Sequence, residues 1–342
     1  MWKVQYIRVL ILVILMVPTI HITTAAEDLI EYRNYVDQTD DFENEQFHIV
    51  YVIPQGQNDR MIDVNNAIAR SVVSFQNWFS ERTNFYLIFD TFDDDLDVLF
   101  YELDQTDDEM RNYGAWVVTE IERELTDAGL LVDDKIYALY YDGESDWACG
   151  GASWPPNVPG QSAAMYLKAT PNRPNYMANC GENQLTFDVN VQLYWEFAML
   201  HDLIHTLGFI STCSPNHAAA GHVNDDASDL MYTGTELWLP SKVDVNNDDY
   251  FNHNNIDCPD LADSAYLTDL RPNYMNYQYK ELTHSASTTQ SSTKETSSSQ
   301  SEQAELGAST TPSQKSDNNP VIFSITMLAT LPIIVRIKRN RL

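Results

Sequence analysis

The segment "AMLHDLIHTLGF" (198–209) constrains the fold more than any other part of the chain. His201 and His205 are four residues apart, so on a helix their Cβ atoms would lie about 5–6 Å apart on one face. Two neutral imidazoles in that position can hold one Zn²⁺ at about 2.0–2.1 Å. Gly208 follows three residues later and suits the end of the helix. The pattern predicts a metal-binding helix, although two histidines at this spacing also occur as ordinary surface or core residues.

The sequence that follows offers a third ligand. The stretch "AGHVNDDASDLMYTG" (220–234) contains His222 and, eight residues further on, a Leu-Met-Tyr turn around Met231. His217 is a rival for the third ligand, but it has no fixed spacing to that turn. We favour His222.

Together these residues resemble the metzincin zinc peptidases, and the matrixins most closely. In that family a His-Glu-x-x-His-x-x-Gly helix is followed by a third histidine ligand and by a methionine turn that forms the floor beneath the metal. The resemblance covers roughly residues 45–235. It implies five site residues, namely the zinc ligands His201, His205 and His222, the turn glycine Gly208 and the floor methionine Met231.

The chain departs from the family pattern at two positions. The third histidine usually stands three residues after the glycine, where this chain has Ser211, so His222 requires an insertion of eleven residues (210–220). The family's Glu is replaced by Asp202, which has the same carboxylate chemistry but a reach shorter by about one carbon–carbon bond, ~1.5 Å. A misplacement of about 1 Å can cost on the order of 10²-fold in rate. An acidic group has nevertheless been kept.

These residues predict a zinc-dependent endopeptidase that acts on a protein or peptide substrate. It would hydrolyse peptide bonds through a metal-activated water, with Asp202 as general base. One alternative is a catalytically weak or inactive pseudoprotease that serves as a surface binding protein. Another is a purely structural acidic ectodomain in which the histidines do not meet.

The ends of the chain predict export and attachment to a membrane. A basic start, a short apolar run and small residues indicate a signal peptide over 1–26. The apolar segment 320–336 and the basic tail 337–342 indicate a single transmembrane span, or a removable sorting signal, with the body outside the cell. The Ser/Thr-rich segment 283–319 is typical of a disordered stalk. The remaining part, 27–282, is long enough for one folded ectodomain at the cell surface.

The net charge of −30 disfavours nucleic acid as a partner, because like charges repel. The acidic run at 90–97 is interpreted as solvated surface. The stretch "DVNNDD" (244–249) has the alternating oxygens of a Ca²⁺-binding loop, but it lacks the glycine at the sixth position and the glutamate at the twelfth, where Asn255 stands. Zn²⁺ is therefore the expected cofactor, and Ca²⁺ is weakly supported.

The four cysteines all fall within the predicted ectodomain and contain no Cys-x-x-Cys pair. In an oxidising compartment the default is two disulfides, which have three possible connectivities. We favour Cys149–Cys180 and Cys213–Cys258, because these pairs close the shorter loops.

The order of apolar segments predicts an α/β (or α+β) fold with a mixed, twisted sheet. Strands are expected at 47–54, 85–92, 135–143 and 163–169. Helical spacing is found at 61–80, 107–125 and 189–207. The last of the four strands is expected at an edge of the sheet, after a Gly/Pro-rich loop, "ACGGASWPPNVPG".

Overall fold

A computed structural model describes residues 33–171 and 180–276. The predicted signal peptide (1–26), stalk (283–319), transmembrane segment (320–336) and basic tail (337–342) lie outside the described residues. Within the described ranges, no helix is both long and apolar enough to span a bilayer.

A mixed five-stranded sheet forms the centre of the fold. Its strands are β1 (Gln46–Ile53), β2 (Val98–Glu102), β3 (Lys135–Tyr141), β4 (Gly150–Trp154) and β5 (Val158–Tyr166), in the spatial order β2-β1-β3-β5-β4. The first four in that order run parallel, and β4 pairs antiparallel with β5 at the edge. All eight residues of β1 and all seven of β3 are buried. Both strands are therefore rich in apolar residues on both faces, as expected where a parallel sheet is covered on each side.

Within the described residues four α-helices accompany the sheet, namely α1 (Ala67–Thr83), α2 (Asp107–Arg111), α3 (Val117–Asp127) and α4 (Tyr194–Thr206). Helices α3 and α4 both contact β4 and β5, and α4 also packs against α1. A side chain added at Gly150 would meet Asp202 of α4, whereas one at the next residue, Gly151, would meet Val118 of α3. Because successive strand residues point to opposite faces, α3 and α4 lie on opposite sides of the sheet.

Short elements complete the described part. Three pairs of two-residue strands are Tyr86–Leu87 with Leu267–Thr268, Thr91–Phe92 with Asp95–Leu96, and His217–Ala218 with His222–Val223. Four 3₁₀ turns lie at Gly114–Trp116, Cys180–Glu182, Leu261–Asp263 and Asn273–Asn276.

The α/β class is confirmed, but the structure corrects several boundaries. Strand β2 was not predicted, because its apolar run directly follows the acidic residues at 90–97. The strand expected at 163–169 is β5, which lies inside the sheet, and the edge is formed by β4 from the stretch interpreted as a loop. The region 85–92 holds two short strands. The helices expected at 61–80 and 189–207 begin at Ala67 and Tyr194, and the helix expected at 107–125 is divided into two, α2 and α3. Strand β4 was not predicted because it begins with two glycines, which weaken the sequence signal for a strand.

The acidic run at 90–97 is also not wholly solvated surface. Asp90 and Asp97 are both only 1% exposed. A carboxylate oxygen of Asp90 accepts from the ammonium of Lys135 at 2.7 Å. Asp97 accepts from the amide side chain of Asn34 and the backbone N–H of Gln38, both at 2.8 Å. Asp97 thereby holds the chain's first described residues, whereas Asp90 pairs with the ammonium of a sheet strand.

Both predicted disulfides are present. Cys149 pairs with Cys180 and Cys213 with Cys258, at Cα–Cα distances of 5.8 and 5.7 Å. The first joins the start of β4 to the segment before α4. The second ties the predicted insertion 210–220 to the C-terminal part of the domain.

Candidate metal centre

Helix α4 carries the first two histidines, and both of its ends are fixed by specific contacts. The buried Glu196 in its first turn accepts from the backbone N–H of Leu193 at 3.0 Å and from the hydroxyl of Ser71 in α1 at 2.7 Å. At the other end Gly208 has a φ of +91°, and a Cβ there would lie 3.1 Å from the carbonyl of Pro155. The predicted glycine turn is therefore required both by its backbone conformation and by close packing.

His201, His205 and His222 come together at one point. Their Nε2 atoms are separated by 3.0 Å (His205 to His201), 3.2 Å (His201 to His222) and 3.3 Å (His205 to His222). Ligands at about 2.0–2.1 Å from a tetrahedral zinc ion lie about 3.3–3.4 Å from each other. The three nitrogens have nearly that spacing, so they can bind one metal ion.

The opposite nitrogen of each ring fixes the tautomer. Nδ1 of His201 donates to the Leu230 carbonyl at 2.8 Å, that of His205 to the Phe209 carbonyl at 2.9 Å, and that of His222 to the Ala219 carbonyl at 3.0 Å. A carbonyl oxygen can only accept, so in each neutral ring the hydrogen is on Nδ1. Three Nε2 lone pairs then face one another with no proton between them, an arrangement that a cation would stabilise.

Burial also keeps the rings neutral. Removal from water lowers the pKa of His201 to about 3 and that of His222 to about 4, and it lowers the pKa of His205 well below its ordinary value. The neighbouring histidines add to the decrease for His201 and His205, because placing two positive rings side by side is unfavourable. At neutral pH all three are therefore in the form that binds metals.

Asp202 lies beside this cluster in sequence but is enclosed by the sheet. Its side chain is 3% exposed, and Oδ1 has no hydrogen-bond partner among the described residues. A Cβ added to Gly150 of β4 would lie 2.8 Å from Oδ2, so the glycine allows the carboxyl group to reach the strand. Burial alone raises the pKa of Asp202 to about 8. In the metal-free protein this group is therefore largely protonated at pH 7.

The Leu-Met-Tyr turn connects the first and third histidines. Leu230 supplies the carbonyl that binds the His201 ring, and the Met231 carbonyl accepts from the backbone N–H of Val223, next to His222. Met231 itself is fully buried. The methionine turn predicted from the sequence therefore lies next to the three histidines. Its role as the floor beneath a metal remains a prediction.

Two residues that support this turn were not predicted from the sequence. Asp229 is fully buried and accepts from the backbone N–H of Met231 at 2.7 Å and of Val245 at 2.8 Å. Trp238 donates to the carbonyls of Asp229 and Leu230, both at 3.1 Å, and its ring stands edge-on to His201 at 5.8 Å. The Asp-x-Met spacing was the available signal, since an Asp side chain commonly accepts from the N–H two residues later.

The rival histidine lies elsewhere. The His217 ring stacks on Trp154 at a centroid distance of 6.1 Å, and the group of potential metal ligands contains His222 instead. The choice of His222 over His217 therefore agrees with the geometry.

Comparison with known proteins identifies no relative, since neither a scan against protein-family models nor a search of curated proteins found a match to this chain. The argument for function consequently rests on the site.

Proposed function

We propose that the chain is a zinc-dependent endopeptidase of metzincin type, exported and anchored at the cell surface. The observation that carries the proposal is the convergence of three buried, neutral imidazoles at 3.0–3.3 Å, each oriented by a backbone carbonyl. Three histidine ligands with a fourth position left for water or substrate are typical of catalytic zinc sites. The metzincin-like motif on α4 supports peptide hydrolysis over other zinc chemistry.

Each residue has a defined task in this proposal. His201, His205 and His222 would hold Zn²⁺, which when bound lowers the pKa of a coordinated water to about 7 and polarises a carbonyl group. Asp202 accepts the proton of the attacking water and passes it to the leaving amine. A nearby cation favours the ionised form of a carboxyl group, so zinc binding would lower the pKa of Asp202 from about 8 and prepare it as a base.

One observation favours a second candidate, the pseudoprotease that binds a protein or surface without cleaving it. Asp202 is buried against Gly150, and its shorter side chain reaches less far than the usual Glu. If the carboxyl group stays at the strand when zinc binds, the site keeps its metal but lacks an effective base. The two candidates share the metal site and differ in hydrolysis.

Metal analysis of the purified protein, paired with cleavage of an unfolded protein substrate, separates these functions. We expect one zinc ion per chain, with loss of stoichiometric zinc when His201 and His205 are both replaced by Ala. Asp202→Asn should retain zinc and lose hydrolysis by about 10²–10⁴-fold, the usual contribution of a general base. Bound zinc with no cleavage by the natural protein would favour the pseudoprotease, and a natural protein that binds no zinc would refute both.

The third ligand has a matched control within the same loop. His222→Ala should weaken zinc binding, whereas His217→Ala should leave zinc content unchanged because that ring stacks on Trp154. The reverse result would assign the ligand to His217.

Attachment to the surface is supported by the sequence of the termini. Removal of residues 320–342 should release a soluble, secreted form with the same zinc content. Retention of this truncated form on membranes would contradict the proposed anchor.

A further inference from the structure

A second cluster of potential metal ligands lies outside the histidine site. Asp244, Asp248 and Asp249 each place a carboxylate oxygen within 4.8 Å of the others. Asp244 is 5% exposed and Asp249 1% exposed, so the cluster is not an ordinary acidic surface. Asp248 is half-buried beside them, and carboxylates gathered in this way are unfavourable unless they are neutralised.

Asp244 leaves one oxygen unused in this cluster. Its Oδ2 accepts three backbone N–H groups, from Asp249 (3.2 Å), Tyr250 (2.7 Å) and Phe251 (2.8 Å). Its Oδ1 is buried and has no partner among the described residues, and the same is true of Oδ1 of Asp248. The backbone thus fixes the Asp244 carboxyl group while one oxygen remains free for a ligand.

A second acidic cluster shows how this protein neutralises such a group with its own cation. Asp37 and Asp90 belong to a cluster with His48, and the Lys135 ammonium lies 2.7 Å from an oxygen of each aspartate. Within the part of the chain that the structure describes, no lysine or arginine forms an ion pair with the aspartates at 244, 248 and 249. Among the described residues, therefore, no side-chain cation offsets the charge of this cluster.

We propose that Asp244, Asp248 and Asp249 bind one Ca²⁺. Ca²⁺ takes about 6–8 oxygen ligands at about 2.3–2.6 Å in flexible geometry, and carboxylates are among its usual ligands, whereas Mg²⁺ requires near-ideal octahedral geometry. The three carboxylate oxygens lie within 4.8 Å of one another, so they are close enough to share one ion. Asp244, Asn246 and Asp248 also alternate as the first, third and fifth ligands of a Ca²⁺ loop do. The missing glycine and glutamate exclude an EF-hand and leave a shorter loop of different shape.

The aspartate cluster contacts the segments on both sides of His222. The Asp249 carbonyl accepts the Ser214 hydroxyl at 2.6 Å, and its carboxylate accepts the backbone and side-chain N–H groups of Asn216 at 2.8 and 3.0 Å. Asp229, which holds the methionine turn, accepts from Val245. A bound Ca²⁺ would therefore fix both chain segments that flank His222, one before it and one after it.

Calorimetric titration of the full-length, chelator-treated and zinc-reloaded protein with CaCl₂ tests the proposal directly. We expect one Ca²⁺ per chain with a dissociation constant within about 10⁻⁷–10⁻³ M, the range of sensor and extracellular sites, and much weaker binding of Mg²⁺. No saturable Ca²⁺ binding up to 10-fold above that range, or equal binding of Mg²⁺, would overturn it.

Two variants and a control locate the ion. Asp248→Asn should weaken Ca²⁺ binding by about tenfold or more, because ligand charge sets affinity, and in Ca²⁺-free buffer it should unfold at a temperature no lower than the natural protein, because one uncompensated charge is removed. Asp244→Asn should do the same, since an amide oxygen can still accept the three backbone N–H groups. Asp93→Asn, in the exposed part of the acidic run 90–97, should bind Ca²⁺ like the natural protein. Unchanged binding in both cluster variants would place the ion elsewhere.

Hydrogen exchange measures the proposed effect on the zinc loop. Added Ca²⁺ should slow amide exchange in residues 214–222 of the zinc-loaded natural protein, and the Asp248→Asn variant should show a much smaller change. Ca²⁺ binding without protection of this segment would refute the structural role assigned to the ion. None of these measurements requires peptidase activity, so a protein that binds zinc but does not cleave peptides would give the same results.

Discussion

Replacement of Asp202 by Asn should stabilise the metal-free protein, and the same change should remove the hydrolysis proposed for the zinc-loaded form. Burial raises the pKa of this carboxyl group from 3.8 to about 8. A group whose pKa is higher in the folded than in the unfolded chain contributes stability that is fully present below pH 3.8 and is lost as the pH rises to about 8. Asn does not titrate and escapes this loss.

The size of the effect follows from the two pKa values. At pH 7 the unfolded chain has released the Asp202 proton, and the distance of about three pH units from 3.8 corresponds to roughly 4 kcal/mol at ~1.36 kcal/mol for each unit. A buried amide without partners costs about 1–3 kcal/mol. The variant should therefore be more stable at pH 7 by about 1–3 kcal/mol, which corresponds to roughly 2–10 °C for a domain of this size. Near pH 5 the same arithmetic gives a difference of about zero.

Thermal unfolding of the natural and variant proteins, both treated with chelator, at pH 5 and pH 7 provides the measurement. These histidines titrate in this range in the unfolded chain but stay neutral in the folded one, and their contribution is common to both proteins and cancels in the difference. Zinc should reduce the advantage of Asn, because a cation favours the carboxylate. A variant that gains no stability between pH 5 and pH 7 relative to the natural protein would show that this carboxyl group is hydrated, and the argument from burial would be wrong.

Two further predictions concern the surroundings of the site. Gly150→Ala should destabilise the fold by about 1–3 kcal/mol and also reduce hydrolysis, because the added Cβ would meet both a backbone carbonyl of β5 and Oδ2 of Asp202. The control variant Gly151→Ala should destabilise the fold through contacts on the opposite face of the sheet, without a specific loss of activity. Equal losses of activity would reduce the role of Gly150 to packing. Double replacement of Cys213 and Cys258 by Ser should cost about 2–4 kcal/mol in unfolding free energy and weaken zinc binding, since the bridge closes a loop across the His222 segment. Unchanged zinc affinity would separate that bridge from the metal site.

The histidines of the candidate metal centre were predictable because much of their geometry is local. His201 and His205 need only one helix turn, so their spacing in the sequence is also their spacing in space. His222 was a weaker prediction because an insertion separates it from the helix. Its position depends on the local pairing of His217–Ala218 with His222–Val223 and on the disulfide from Cys213 to Cys258, which joins segments 45 residues apart.

The strands at the two edges of the sheet, β2 and β4, were harder to predict. Strand β4 is rich in small residues, since helices approach it on both faces at Gly150 and Gly151. Small residues of this kind weaken the ordinary signal for a strand. Strand β2 has a clear apolar run, but the run is only five residues long and directly follows an acidic stretch. It was therefore interpreted as part of the connection between the strand expected at 85–92 and the helix expected at 107–125.

The three carbonyls that orient the imidazoles come from three places that follow the helix, at Phe209, Ala219 and Leu230. The helix therefore supplies two of the rings, but the direction of every ring depends on the segment from 209 to 230. Because metal binding stabilises only the state in which the ligands converge, its free energy also stabilises the ordering of this segment. We therefore expect zinc affinity to follow the integrity of the loop as closely as it follows the histidines. Loss of the bridge at Cys213 should then weaken zinc binding although no ligand has changed.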